Sequence, residues 1–143
     1  MDFFETMEIS SSGLSAQRAR LNIIASNLAN VNSTRTPEGG PYRRKDVIFG
    51  AQPLSFHEQL NSHLDKSVKL VKVVNIVEDQ RPFKVEYNPS HPDADESGYV
   101  TLPNINVMEE MINMLLATRS YEANIAVISA AKNMALKALE IGR

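Results

Sequence analysis

Apolar residues in the first 32 positions recur at intervals of three and four: Phe3, Met7, Leu14, Leu21, Ile24, Leu28 and Val31, with Ser10 and Gln17 in the two gaps. That spacing predicts an amphipathic helix with a heptad-like seam. A second set, Ile9, Ala16, Ala19 and Ile23, begins two residues out of step, and at about 100° per residue much of it lies across the helix from the first. An ordinary surface helix buries one stripe, so a helix apolar on two sides needs a deep position in one core or a second partner. Asn32, Ser33, Thr34, Pro37, Gly39, Gly40 and Pro41 favour turns, and the helix is expected to fail after Val31.

The middle of the chain changes period. Val47, Ile48 and Phe49 form a short strand-like run, and residues 51–66 show no periodicity that assigns them a structure. Residues 68–78 are rich in β-branched side chains, and Phe83-Lys84-Val85-Glu86-Tyr87 alternates apolar with charged, as a half-buried strand does. Asn88-Pro89-Ser90-His91-Pro92-Asp93 interrupts pairing twice with proline before residues 98–102 offer a last short strand. A small antiparallel β region of this kind is marginal alone and is expected to pack on a terminal helix.

The C-terminal pattern is the most regular. Val107, Met111, Met114, Thr118, Tyr121, Ile125, Ile128, Lys132, Ala135 and Leu139 keep 4-3 spacing, broken only by Thr118 and Lys132. Asn106 suits an N-cap with Glu109 as a capping-box partner, and Glu109 and Glu110 suit the positive end of the helix dipole. Lys132, Lys137 and Arg143 suit the other end, and Gly142 marks a stop. An offset stripe of Ala123, Val127, Ala130, Met134 and Ala138 is built mostly of small residues, which let helices approach closely. Each terminal helix would be roughly 45 to 50 Å long, more than the β region could cover.

The predicted fold is therefore α+β: long N- and C-terminal helices paired as a coiled-coil-like core, with a small β-rich middle region. The divisions fall at 1–32, 33–103 and 104–143. Once the helices are paired, a second apolar stripe on each is left for contacts between subunits. The candidate contact residues are Met7, Leu14, Leu21, Ile24, Leu28 and Asn30 in the first helix. In the last helix they are Met111, Leu115, Tyr121, Ile125 and Ile128.

Composition narrows the function. The 143 residues carry a formal net charge of -2, so no global basic field points to nucleic acid or anionic membranes. With no cysteine there is no disulfide, thiolate metal site or cysteine nucleophile. No apolar run is long enough for a membrane span, and the first residues lack the basic flank of a signal peptide. His57, His63 and His91 match no metal spacing, and Asp93-Ala94-Asp95-Glu96-Ser97-Gly98 lacks the later glutamate of a calcium loop, so neither metal nor cofactor is called for. No catalytic motif is present, and the chain reads as a non-enzyme.

Arg43-Arg44-Lys45 is the only dense basic cluster and reads as a solvated loop flank, with an anionic patch on a partner as the functional option. Met108, Met111, Met114 and Met134 fit core or subunit-contact packing. Asn22, Asn27, Asn30 and Asn32 exceed what one helix stop requires, which points to interhelical hydrogen bonds that fix register.

The block SGLSAQRARLNIIASNLANVNSTRT, with its helix ending in SNLAN, and the block YNPSHPDADESGYVTLPN through RSYEAN to the C-terminus resemble the bacterial flagellar basal-body rod proteins, of the proximal-rod type. The resemblance implies a non-enzymatic subunit of the periplasmic rod that transmits torque from the motor ring toward the hook. It implies export through the flagellar type III apparatus without a cleaved signal, and termini in an inner helical layer with a β-rich region outside. The partners it implies are further copies of the chain, the rod proteins FlgB, FlgF and FlgG, and the adaptor FliE at the membrane ring, with no nucleic acid and no membrane insertion. The rival from another class is a soluble coiled-coil adaptor or chaperone that holds a client on the same stripes. It predicts a small discrete oligomer with helices formed in isolation, whereas a rod subunit predicts termini that order on polymerisation.

Overall fold

The computed structural model describes residues 3–53 and 69–141. Helix α1 spans Phe3–Ala29, ending two residues short of Val31. The cause is local: the Asn30 side-chain amide turns back on the Ser26 carbonyl at 2.9 Å, and its Oδ1 accepts from the Ser33 hydroxyl at 3.0 Å. Such bonds compete with the helix ladder and end it.

Strands β1, Lys45–Pro53, and β2, Lys69–Glu78, pair antiparallel. The register slips once: Ile48 faces Asn75 but Phe49 faces Val73, so Val74 is the extra residue of a β-bulge. Its side chain lies over Gly50, where an added Cβ would collide with it. The strand outruns its predicted end at Phe49 because Gly50, in the middle of it, contributes no apolar signal. Strands β3, Lys84–Tyr87, and β4, Tyr99–Leu102, form a separate two-stranded sheet with Tyr87 opposite Tyr99. Between them Gly98 takes φ +80°, a conformation that side chains resist, and its backbone accepts from the Asn88 N–H at 2.9 Å.

The expected half-burial of residues 83–87 is corrected. Every residue of β3 is exposed, and it is Lys84 and Glu86 that share a face with buried Val100 of β4. This hairpin packs on neither helix, and the burial of Val100 sets the inward face, which carries Lys84 and Glu86 rather than Val85 and Tyr87.

Helix α2 spans Val107–Ile141. Asn106 caps it, its Oδ1 accepting the Met108 N–H at 3.1 Å. Glu109 does not reach back to complete a capping box; its carboxylate takes the Arg81 guanidinium at 3.1 Å. Lys137 is paired with Glu140 at 2.8 Å, both exposed. Gly142, Arg143, His57, His63 and residues 54–66 of the aperiodic stretch lie outside the described residues.

Helices α1 and α2 run antiparallel. Gly13 sits against the Asn124 side chain and Asn27 bonds Glu110, so the same fourteen-residue step forward on one helix is a step back on the other. A Cβ on Gly13 would stand 3.1 Å from Asn124, a separation that shows how closely the helices approach. The close contact uses buried Ala117 and Ala131, and the stripe of Ala123, Val127, Ala130, Met134 and Ala138 is exposed instead.

The other side of α1 is covered by the β1–β2 hairpin, where the Val71 N–H donates to Ser12 Oγ at 3.2 Å. Both apolar sides of α1 are thus used within the subunit. Among the described elements α2 touches α1 alone, and its second side stays open.

A candidate assembly face and the polar joint beside it

The largest fully buried side chains, Ile105, Glu110, Asn27 and Pro103, gather where the end of α1, the segment before β1 and the start of α2 converge. Four buried polar side chains, Asn27, Arg44, Asn104 and Glu110, sit there. Glu110 is 0% exposed and accepts from Arg44 Nε at 2.8 Å and from Asn27 Nδ2 at 3.0 Å. Asn27, also 0% exposed, donates as well to the Lys45 carbonyl at 2.8 Å, while its Oδ1 accepts the Lys45 N–H at 3.0 Å and the Tyr42 hydroxyl at 3.2 Å. All four hydrogen-bonding positions of that amide are filled, so it fixes α1 to both α2 and β1.

Arg44 continues the network outward through Nη1 to Asp46 at 3.1 Å and Asp79 at 3.4 Å. Its backbone N–H donates to Asn104 Oδ1 at 2.9 Å, and the Asn104 amide donates to the carbonyls of Asp79 and Arg81 at 3.1 and 3.0 Å. Burial by itself would lower the Arg44 pKa, but the hydrogen bonds to Glu110 and Asp46 outweigh it and raise the value above that of ordinary arginine. For Asp79 burial pushes upward, and the Arg81 backbone N–H and guanidinium, with the charges of Arg81 and Arg44, hold the carboxyl below its usual range. Hydrogen bonds to Glu109 and Asp79 raise Arg81 in turn. A charge buried this deeply is tolerable only when paired and bonded, as here.

These positions correct the expectation for the basic cluster. Arg44 is interior, and Arg43 lies 4.3 Å from the Phe83 ring centroid while donating to the Asp79 carbonyl at 3.0 Å. Of the four asparagines, Asn27 alone bonds across the helix pair among the described residues; Asn30 serves the helix stop, and Asn22 and Asn32 are exposed. Asp93 and Asp95 are committed within the protein: Asp93 ties its loop to the segment after α1, accepting from Thr34 at 2.8 Å and pairing with Arg35 at 2.7 Å, and Asp95 accepts the N–H groups of Ser97 and Tyr99 in its own loop.

The candidate contact residues divide. Ile24 is buried, Met7, Leu14, Leu21 and Leu28 are half-buried along α1, and Asn30 is half-buried in the turn after it. Tyr121 and Ile128 are half-buried on α2, whereas Met111, Leu115 and Ile125 are 55, 58 and 44% exposed. With Met108, Ile112 and Leu116 they form a broad apolar face. A groove of about 540 Å³ runs along it, lined by Met108, Met111, Ile112, Met114, Leu115 and Thr118. Exposed apolar surface of this extent makes it the candidate contact face. No described helix is long and apolar enough to cross a membrane.

Arg44, Asn104 and Glu110 were invisible to a search for apolar rows. One signal existed: Glu110 heads the seven-residue row Ala117, Asn124, Ala131 that faces α1, so a carboxylate stood at a core position.

Two family models match the chain. "Flagella basal body rod protein" covers residues 7–35, and "Flagellar basal body rod FlgEFG protein C-terminal" covers residues 96–141. They fall on α1 with its exit turn and on β4 with α2, which sets the chain in the class of flagellar rod proteins. Over full length it is 43% identical to the flagellar basal-body rod protein FlgC of Borreliella burgdorferi, covering 99% of this chain and 98% of the relative. It is 43% identical to FlgC of Bacillus subtilis and 42% identical to FlgC of Escherichia coli O157:H7, each over 100% of both chains. The chain belongs to the FlgC family and is a structural subunit of the flagellar basal-body rod. Membership implies assembly with other basal-body rod components.

Proposed function

We propose that the chain polymerises through its terminal helices in the proximal rod and passes torque from the motor ring toward the hook. Residues 1–32 and 104–143 form the axial part, and residues 33–103 set how subunits meet sideways. One observation supports this most: both sides of α1 meet described elements of the subunit, while the start of α2 keeps an apolar face of Met108, Met111, Ile112, Leu115 and Leu116 that no described element covers. Water-exposed side chains such as Met111, Leu115 and Ile125 then gain by burial against a neighbour, at about 25 cal/mol per Å² of apolar surface. The neighbours are further copies and the rod proteins FlgB, FlgF and FlgG, with the adaptor FliE at the membrane-ring end. The subunit works in the periplasm and reaches it through the flagellar type III apparatus without a cleaved signal.

Ile125→Asp tests the contact face. The side chain is already 44% exposed in the subunit, so the variant leaves the β region folded. Assembly should fail, because a carboxylate enclosed without a partner costs several kcal/mol. Normal basal bodies and motility in cells carrying only this variant would overturn the assignment of this face.

A further inference from the structure

A cleft of about 330 Å³ opens beside the start of β1, with the turn of residues 36–41 on one side and Arg43 and Lys45 on the other. Arg43 and Lys45 flank Arg44, and where Arg44 turns into the interior they turn to the cleft. Neither has an acid partner, although acids are close. Glu78 stands directly across from Lys45 in the β1–β2 register, yet Lys45 Nζ rests 5.8 Å from the centre of the Tyr42 ring. Arg43 lies over Phe83 and takes the Asp79 carbonyl through Nη1, while the Asp79 carboxylate goes to Arg44 and Arg81. An aromatic face holds a cation in place without neutralising it. The supports are firm: the Tyr42 hydroxyl and both backbone groups of Lys45 are bonded to the buried Asn27.

The opposite wall is bare backbone. Gly39 and Gly40 take φ +91° and +79°, and a Cβ on either would meet no atom within 4 Å. The turn itself, closed by the Thr36 N–H on the Gly40 carbonyl at 2.9 Å, therefore selects glycine, and no side chain of either residue fills the cleft. Glu38 and Glu78 stand exposed at the rim, and neither carboxylate has a partner in the subunit. Two unpaired cations and two unpaired carboxylates thus edge one cleft. A polyanion would be drawn by one pair and repelled by the other, whereas a molecule with one charge of each sign suits both.

We propose that this cleft binds a small zwitterion of amino-acid or dipeptide size, its carboxylate on Arg43 and Lys45 and its ammonium between Glu38 and Glu78. Arg43 keeps Nε and Nη2 for a charge-assisted, two-point hold on the carboxylate. The cleft shares no residue with the apolar groove of α2, so the site stands apart from the rod-subunit function.

Titration of the isotope-labelled full chain with alanylalanine, followed through its amide NMR signals, tests the site. Saturable shifts are expected at Gly39, Gly40 and Lys45. Acetylating the amine or amidating the carboxylate of the dipeptide should each weaken binding about tenfold, as should Arg43→Gln combined with Lys45→Gln. Glu38→Gln, at an exposed position of the turn, should weaken alanylalanine severalfold and leave the acetylated dipeptide unchanged, a comparison that holds even if the Arg43 variant fails to fold. Absence of saturable shifts around the cleft, equal binding of the blocked dipeptides, or inorganic phosphate binding as tightly as alanylalanine would overturn the proposal.

Discussion

Arg44 and Glu110 stand sixty-six residues apart in the chain and meet in the interior, Nε to Oε1 at 2.8 Å. The carboxylate has no exposed surface and the guanidinium almost none. The pair ties the segment leading into β1 to the first turn of α2, and Asn27 ties both to α1.

Removing one partner should be far worse than removing both. Glu110→Ala leaves a buried guanidinium with its inner bond unmade and is expected to cost about 3–5 kcal/mol in urea unfolding of the subunit. Arg44→Met combined with Glu110→Leu should recover much of that loss. A double variant as unstable as the sum of its singles would show that the two do not act as a pair.

Asn27 can be tested without changing its size. Asn27→Asp sets a second carboxylate against Glu110 and removes the donor to the Lys45 carbonyl, so it should destabilise more than Asn27→Ala, which costs about 1–3 kcal/mol for the groups left unbonded. Thermal unfolding of the two variants gives the order directly. If Asp is tolerated better than Ala, the amide is not the donor to Glu110.

Acid should weaken the joint in a defined window. The carboxyl of Asp79 is held below its usual value, so the unfolded chain takes up the proton first as pH falls. Its contribution is complete above the ordinary carboxylate pKa of 3.8 and is lost as pH falls below that toward the folded value. Denaturant midpoints between pH 6 and pH 2 should fall less steeply in Asp79→Asn than in the parent. Equal slopes would remove Asp79 from the acid response.

Gly13 measures the closeness of the helix pair. Gly13→Leu forces α1 off the Asn124 side chain and should cost about 1–3 kcal/mol. Gly13→Ala adds helix propensity but crowds Asn124, and removing that side chain in Gly13→Ala/Asn124→Ala should make the alanine at position 13 stabilising. A leucine that leaves thermal stability unchanged would mean that the helices have room to spare.

Periodicity made both helices, their antiparallel-capable seams and most strand positions legible, because apolar spacing records secondary structure directly. It did not say which neighbour covers which stripe. The second stripe on α1 read like the one on α2, yet the first is met by the β1–β2 hairpin and the second by none of the described elements. That difference depends on a contact between distant segments. The β3 alternation misled for a related reason: Val85 and Tyr87 keep the right period on the wrong side, since burial of Val100 fixes which face of the sheet turns inward. Glu110 hid because a carboxylate near a helix N-terminus already has a local explanation in the dipole, and only its row with Ala117 and Ala131 distinguishes an interior acid from a solvated one.

The bonds around Asn27, Arg44 and Glu110 also decide how the subunit responds to load. They cross between the helix pair and the segments that lead into the strands, and they point in several directions. Twisting the outer strands against the helices would have to stretch many of them together, each with a reach of a few tenths of an ångström. The joint therefore works like a keyed shaft, turning the strands and the helices as one piece.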